Sequence, residues 1–155
     1  MIVRFLGTGA SPAMPIPFCR CRACTTARRH GGRELRKRSS VLIEDALLID
    51  LGPDIAAASF QHGVPLEGVH FCLQTHPHED HFDPEFLISR HIEYATEQNG
   101  RLGLVGSRKT LEAMDAVITR RCDYGSMLRD SGQHALGVSV QAAQPFQAMR
   151  VGPYT

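Results

Sequence analysis

Four potential metal ligands lie within six consecutive positions, in the pattern His76-x-His78-x-Asp80-His81. They directly follow an apolar stretch that favours a β-strand, and chemistry is often placed where a strand ends. On extended or loop backbone His76 and His78 point to the same side and can bind one cation, whereas Asp80 and His81 can turn towards a second. Histidines also gather in exposed loops by chance, but four such groups this close together favour a metal site. Two neighbouring cations can share a bridging hydroxide, which is a nucleophile near neutral pH.

A second group of potential ligands is Cys19-x-Cys21-x-x-Cys24. Three thiolates supply most of a tetrahedral zinc site, and a closed sulfur-rich site has no position left for water. We therefore predict a structural zinc ion here, with three unligated thiols in a reducing cell as the alternative. The chain has five cysteines, an odd number with tight spacing, which argues against a disulfide framework and favours the cytoplasm.

The segments that must carry these residues alternate between strand and helix. Strands are predicted at residues 2–6, 40–44, 46–50, 69–74 and 102–105, and two weak strands within 138–151 that break near Pro145. Helices are predicted at residues 55–62, from Pro84 towards Tyr94, and after Ser107, a potential N-cap. Residues 28–38, six of them basic, are predicted to form a mobile surface loop. This alternation predicts a layered α/β fold.

Composition indicates a globular chain. With 155 residues, 43% of them hydrophobic, it can bury one sizeable core, so we predict a single domain over residues 1–155. Its 17 basic and 16 acidic residues nearly balance, and the overall charge therefore gives no reason to expect a nucleic acid or a membrane surface as partner. No apolar run reaches the roughly 18 residues of a transmembrane helix.

The motif at residues 76–81 resembles, in full, the HxHxDH signature of the metallo-β-lactamase superfamily. The resemblance implies that His76 and His78 bind one metal, that Asp80 and His81 bind a second, and that Asp80 is catalytic. It also implies that Asp50, which follows an earlier strand, supports the site from behind the ligands. A carboxylate that accepts the other N–H of a ligand imidazole fixes its tautomer and orientation. The simpler interpretation of Asp50 is a turn-capping residue at a strand end.

An N-terminal strand, the turn at residues 7–9 and the cysteine motif, all before HxHxDH, resemble the phosphoribosyl cyclic phosphate phosphodiesterase branch of that superfamily. In this branch the fourth ligand of the structural zinc is a distant histidine, for which His30 and His134 are weak substitutes. The resemblance corresponds to little more than half of a family member, and the remaining metal ligands have no counterpart here. We therefore expect the N-terminal half of an αββα metallo-β-lactamase sandwich, and a fragment of a longer enzyme rather than a natural remnant.

Together these features predict a metal-dependent hydrolase, and in particular a phosphodiesterase that acts on a small cyclic or diester phosphate through a metal-bridging hydroxide. Its cofactors would be two divalent ions, zinc or manganese, besides the structural zinc. The expected partner is a small phosphate ester; nucleic acid is not favoured, no membrane partner is expected, and a homodimer is left open. The alternatives are an RNA-processing nuclease of the same fold, which the basic residues 28–38 could serve, and a non-catalytic zinc-binding or cofactor-carrier protein.

Overall fold

A six-stranded sheet forms the centre of the computed structural model, which describes residues 1–97 and 100–155. Its strands follow one another in sequence order: Val3–Gly7 (β1), Ser40–Ile43 (β2), Leu47–Ile49 (β3), Phe71–Gln74 (β4), Leu102–Ser107 (β5) and Val138–Ala143 (β6). The first three strands are antiparallel neighbours, whereas β3, β4, β5 and β6 run parallel. Strands β2 and β3 form a hairpin, pairing across a tight turn in which Asp45 has a positive φ of 54°.

Helices connect the parallel strands, as a parallel sheet requires. Those of the described residues are Arg22–His30 (α1), Ile55–His62 (α2), Glu85–Ile88 (α3), Arg108–Arg121 (α4) and Asp130–Ala135 (α5), with a 3₁₀ turn at Gly32–Glu34. Two predicted helix boundaries are confirmed. Ser107 caps α4 by accepting a hydrogen bond from the backbone N–H of Thr110 at 3.1 Å, and α2 ends at Gly63 in left-handed conformation. No helix in the described part of the chain is long and apolar enough to cross a membrane.

One face of the sheet carries the hydrophobic core. Leu42, Leu48, Cys72 and Leu104 lie side by side across β2 to β5 and are fully or almost fully buried. They belong to one cluster with apolar side chains of α2 and α4, such as Ile55, Ala58, Leu111, Met114 and Ile118. Burial raises the pKa of the Cys72 thiol to about 12, so this cysteine packs as an apolar side chain.

The opposite face of the sheet is also apolar but less buried. Phe5, Val41, Ile49, Leu73 and Val105 stand in register across β1 to β5. Phe5, on the outermost strand, is 65% exposed. On the same face, Tyr154 packs edge-on against Phe71 of β4, with 6.3 Å between the ring centroids. The C-terminal residues therefore lie over part of this second face.

Three local predictions were wrong. Residues 28–38 are not simply a loop, because α1 continues to His30, ends at Gly31 with a positive φ of 64°, and is followed by a 3₁₀ turn. The second weak strand within 138–151 is absent, since β6 ends at Ala143 and the described chain after Pro145 has only an isolated bridge between Val151 and Tyr154. The helix after Pro84 is a single turn that ends at Ile88, short of Tyr94.

Candidate metal centre

The HxHxDH motif lies in the loop that follows β4, here called the metal loop (residues 75–81). Strands β3 and β4 are parallel and Ile49 pairs with Leu73, so both strands end at the same edge of the sheet. Asp50, the residue after β3, therefore lies beside the start of the metal loop, where its backbone N–H donates to Leu73 O at 3.0 Å. The fold thus brings together two segments that are about 25 residues apart in the sequence.

The structure brings the predicted ligands into two overlapping groups. In one, His76, His78 and Asp80 offer ligand atoms that all lie within 4.8 Å of one another; in the other, Asp50, His76 and His81 do so. His81 Nε2 also lies 3.4 Å from Asp80 Oδ2, so these two side chains approach one another as a pair. Imidazole and carboxylate donors at such spacing fit a divalent cation such as zinc or manganese.

Asp50 fixes the orientation of His81. Its side chain is 6% exposed and accepts three hydrogen bonds, from the backbone N–H and hydroxyl of Thr75 at 2.8 Å each and from His81 Nδ1 at 2.6 Å. Because Nδ1 of His81 carries the proton that faces this carboxylate, its Nε2 lone pair is left for a cation. The resemblance implies a contact of this kind, in which Asp50 would orient a ligand imidazole.

Thr75 extends the same arrangement to His76. The Thr75 hydroxyl lies 2.8 Å from both carboxylate oxygens of Asp50 and 2.9 Å from His76 Nδ1. A hydroxyl has one proton, which the carboxylate attracts, so His76 Nδ1–H donates to the hydroxyl oxygen and Nε2 again remains for a cation. Sequence analysis assigned no role to Thr75; its place between a strand and the first ligand was the available signal.

Two further residues hold the backbone of the site. Gln74, 1% exposed, donates from Nε2 to the carbonyl oxygens of His76 and His81, both at 2.9 Å, and accepts from Leu51 N at 3.3 Å. A Cβ atom at Gly52 would lie 2.7 Å from the carbonyl oxygen of Asp80, so only glycine fits where these segments cross. Neither role was predicted, because both depend on contacts between segments that are distant in the sequence.

The cysteine cluster, Cys19, Cys21 and Cys24, is a separate candidate site. Its three Sγ atoms lie within 4.8 Å of one another, with Cys24 buried and Cys21 exposed at the start of α1. Backbone hydrogen bonding from Cys24, with smaller contributions from the neighbouring thiols, lowers the pKa of Cys21 to about 7, which favours the thiolate form that binds metals. His30 and His134 belong to no ligand group in the described part of the chain.

Arg28 of α1 binds the segment that precedes this helix and contains Cys19. Its guanidinium donates to the carbonyl oxygens of Cys19 at 2.6 Å and Ile16 at 2.8 Å. One residue of the predicted basic loop is therefore used within the molecule. Arg38 is used in the same way, through an ion pair with Asp54 at 2.9 Å.

A cleft of about 550 Å³ opens beside the metal loop. Phe82 and Val117 are among its apolar residues, while Glu79 of the metal loop and Arg120 at the end of α4 are among its charged ones. Arg121 also lines the cleft but is engaged in an ion pair with Glu85. Of the metal loop, Pro77 and Glu79 line this space of small-molecule size, whereas the four predicted ligands do not.

The sequence comparisons do not assign the chain to a family. No model of a known protein family matches the chain. It is 35% identical over 102 residues to an octanoyltransferase of Porphyromonas gingivalis, a match that covers 61% of this chain but only 20% of that protein. The chain therefore spans about a fifth of the length of this curated relative.

Two solved structures resemble the chain over almost its whole length. A diphosphatase of the PhnP family superposes with a TM-score of 0.68 and 21% identity, covering 96% of this chain and 53% of that one. Zinc-bound PqqB from Methylobacterium extorquens superposes with a TM-score of 0.64 and 22% identity, covering 92% of this chain and 46% of that one. Both have the metallo-β-lactamase fold, and this chain, over about half the length of each, has the α/β architecture of the metallo-β-lactamase fold.

Proposed function

We propose that this chain carries part of the active site of a metal-dependent hydrolase, and specifically of a phosphodiesterase that acts on a small cyclic or diester phosphate. The observation that carries the proposal is the group of His76, His78 and Asp80, whose ligand atoms lie within 4.8 Å of one another, with His81 Nε2 3.4 Å from Asp80 Oδ2. The buried carboxylate of Asp50 accepts directly from His81 Nδ1, and it orients His76 through the hydroxyl of Thr75. Nε2 of both imidazoles is therefore available to bind a cation. A fixed tautomer serves a site that binds cations, because it keeps the lone pair of the ligand nitrogen free.

In this proposal His76 and His78 hold one cation, and Asp80 with His81 holds the other. Bound divalent ions would polarise a phosphoryl oxygen and lower the pKa of a bound water to near neutrality. The cleft beside the metal loop, with Glu79 and Arg120 among its charged residues, would receive the substrate. The solved diphosphatase of the same fold supports a phosphate substrate by analogy of fold alone.

The ligand groups within the described residues offer too few donors to close two catalytic metal sites, each of which usually has three protein ligands. We therefore propose that the remaining ligands and the general acid come from polypeptide outside residues 1–155. A structural zinc at the cysteine cluster belongs to the same proposal, with its fourth ligand also from outside these residues.

An RNA-processing nuclease of the same fold is the second candidate. Residues 28–38 carry six basic side chains; Arg28 and Arg38 bind within the molecule, but Arg29 and Arg33 are exposed on α1 and the 3₁₀ turn. Such charges could attract an RNA backbone. Binding that weakens steeply as salt rises, with cleavage of RNA but not of small diesters, would favour this candidate.

The test is hydrolysis of a panel of small phosphodiesters by the protein purified from its native source, with zinc or manganese. We expect turnover that His76→Ala abolishes, because this residue belongs to both ligand groups. His134→Ala, at an exposed histidine far from the metal loop in sequence, is the matched control and should retain the full rate. No turnover with either metal would contradict the proposal and favour a non-catalytic zinc-binding or carrier protein.

A further inference from the structure

The ligand set does not explain why a buried amide lies at the base of the metal loop. Gln74 is the last residue of β4, and its partner on β5 is Gly106, which has no side chain. A buried polar side chain is costly unless it is fully hydrogen-bonded, and the Gln74 amide uses both N–H groups and its oxygen. The hydrogen bonds of Gln74 therefore offset the cost of burying its amide.

The partners of this amide are the two ends of the metal loop. His76 is the first candidate ligand and His81 the last, and one NH₂ group donates to the carbonyl oxygens of both at 2.9 Å. A single planar group that binds both carbonyls fixes the distance between them. The amide oxygen accepts from Leu51 N, the residue after Asp50, so the same side chain also ties the loop to the strand end that supplies the supporting carboxylate.

We propose that Gln74 is a positioning residue that sets the cation affinity of the metal loop; this inference rests on the proposed metal site. Ligands that are already held in place lose less conformational freedom when they bind, so the affinity is higher. Residues of similar size cannot replace the hydrogen bonds that the Gln74 amide donates. Leucine has no donor, and an ionised glutamate has no proton to give and would place a negative charge against two carbonyl oxygens.

The experiment measures binding of Mn²⁺ alone, because this ion prefers nitrogen and oxygen donors and so reports the metal loop rather than the cysteine cluster. We compare Gln74→Leu and Gln74→Glu with the unsubstituted chain. Gln133→Leu is the matched control, since Gln133 also accepts from a backbone N–H, that of Val140 at 3.2 Å, but on α5. We expect the Kd for Mn²⁺ to rise roughly tenfold or more in both Gln74 variants and to stay unchanged in the control.

A second readout separates positioning from general stability. The rise in Tm that Mn²⁺ causes should shrink in the Gln74 variants but not in Gln133→Leu. A Gln74→Leu chain with a lower metal-free Tm and an unchanged Kd would overturn the positioning role and leave the proposed function intact. If Mn²⁺ does not bind the protein purified from its native source at all, the positioning role and the proposed metal site are both overturned.

Hydrogen exchange in the unsubstituted chain keeps the inference testable if the Gln74 variants fail to fold. The Gln74 Nε2 protons should exchange slowly without metal, because they are buried and bonded to two carbonyl groups. They should exchange more slowly still with zinc, because a bound cation stabilises the loop that they hold closed. Rapid exchange, or exchange that zinc leaves unchanged, would contradict the proposal.

Discussion

The metal loop and the cysteine cluster each gather metal-binding side chains, but they are held in different ways. The metal loop rests on two buried polar side chains, Asp50 and Gln74, whose hydrogen bonds fix the ligand rings and the backbone. The cysteine cluster lies in a surface segment, braced from outside by Arg28. Buried hydrogen bonds therefore hold the first site in place, whereas we expect the second to depend more on a bound cation.

The sharpest test of this contrast is to remove the charge of Asp50. Asp50→Asn keeps a residue that tolerates its φ of 65°, but it weakens the hydrogen bonds that orient His81 and Thr75. We expect Mn²⁺ affinity to fall roughly 10–100-fold, measured by titration. Asp54→Asn is the control, because Asp54 also bonds a backbone N–H and a cationic side chain, those of Arg38. Equal loss of affinity in the two variants would mean that the loop is not specifically preorganised.

At the cysteine cluster the expected loss is of stability together with zinc. Cys21→Ser should lower both the zinc content per chain and the Tm, since a thiolate-bound zinc stabilises the segment that holds it. Cys122→Ser, at a half-buried cysteine outside the cluster, should leave zinc content unchanged. If Cys21→Ser alters neither quantity, the cluster is three free thiols.

Alkylation should distinguish the cysteines by their protonation. The pKa of Cys21 is lowered from its ordinary value of 9.0 to about 7, so its thiolate fraction, and with it the rate of reaction with iodoacetamide, should reach half of its maximum near pH 7. Cys72, with a pKa raised by burial to about 12, should stay unreactive in the folded chain. Zinc should protect Cys21. Peptide mapping after timed alkylation, with equal labelling of both residues as the contrary outcome, provides the check.

The smallest expected effect lies away from both sites. Ser107→Ala removes the N-cap of α4, which should cost about 1 kcal/mol of unfolding free energy. For a chain of this size that corresponds to a fall in Tm of roughly 2–4 °C. Ser107→Asn should retain most of the stability, and Mn²⁺ affinity should be unchanged in both variants. A change in affinity would show that α4 is coupled to the metal loop.

The sequence predicts those parts of the molecule that depend on local pattern. Short runs of β-prone apolar residues predict β2, β3 and β4, and the cap at Ser107 predicts the start of α4. The ligand residues are likewise local, because four of them fall within one short loop. Helix α1 was missed because its basic composition and the glycines after it look like a loop, whereas burial of Cys24 and Ala27 on one side stabilises the helix.

The remaining features depend on contacts that no short pattern encodes. Gln74 looks like an ordinary polar residue at a strand end until the fold brings Leu51, His76 and His81 around it. Gly52 is required only because the backbone of Asp80 passes within 2.7 Å of the position that a Cβ would occupy. Support of this kind becomes visible only when the strand ends and the metal loop are seen together.

The most direct test of the metal loop as a cation site is a Mn²⁺ titration of the unsubstituted chain, followed by electron paramagnetic resonance, beside His76→Ala and His134→Ala. His76 contributes to both ligand groups, so its loss should remove Mn²⁺ binding, whereas His134→Ala should bind as the unsubstituted chain does. Circular dichroism should show that both variants keep the fold, because His76 lies on a loop and fills no core volume. Mn²⁺ binding of equal affinity in His76→Ala and the unsubstituted chain would contradict the account.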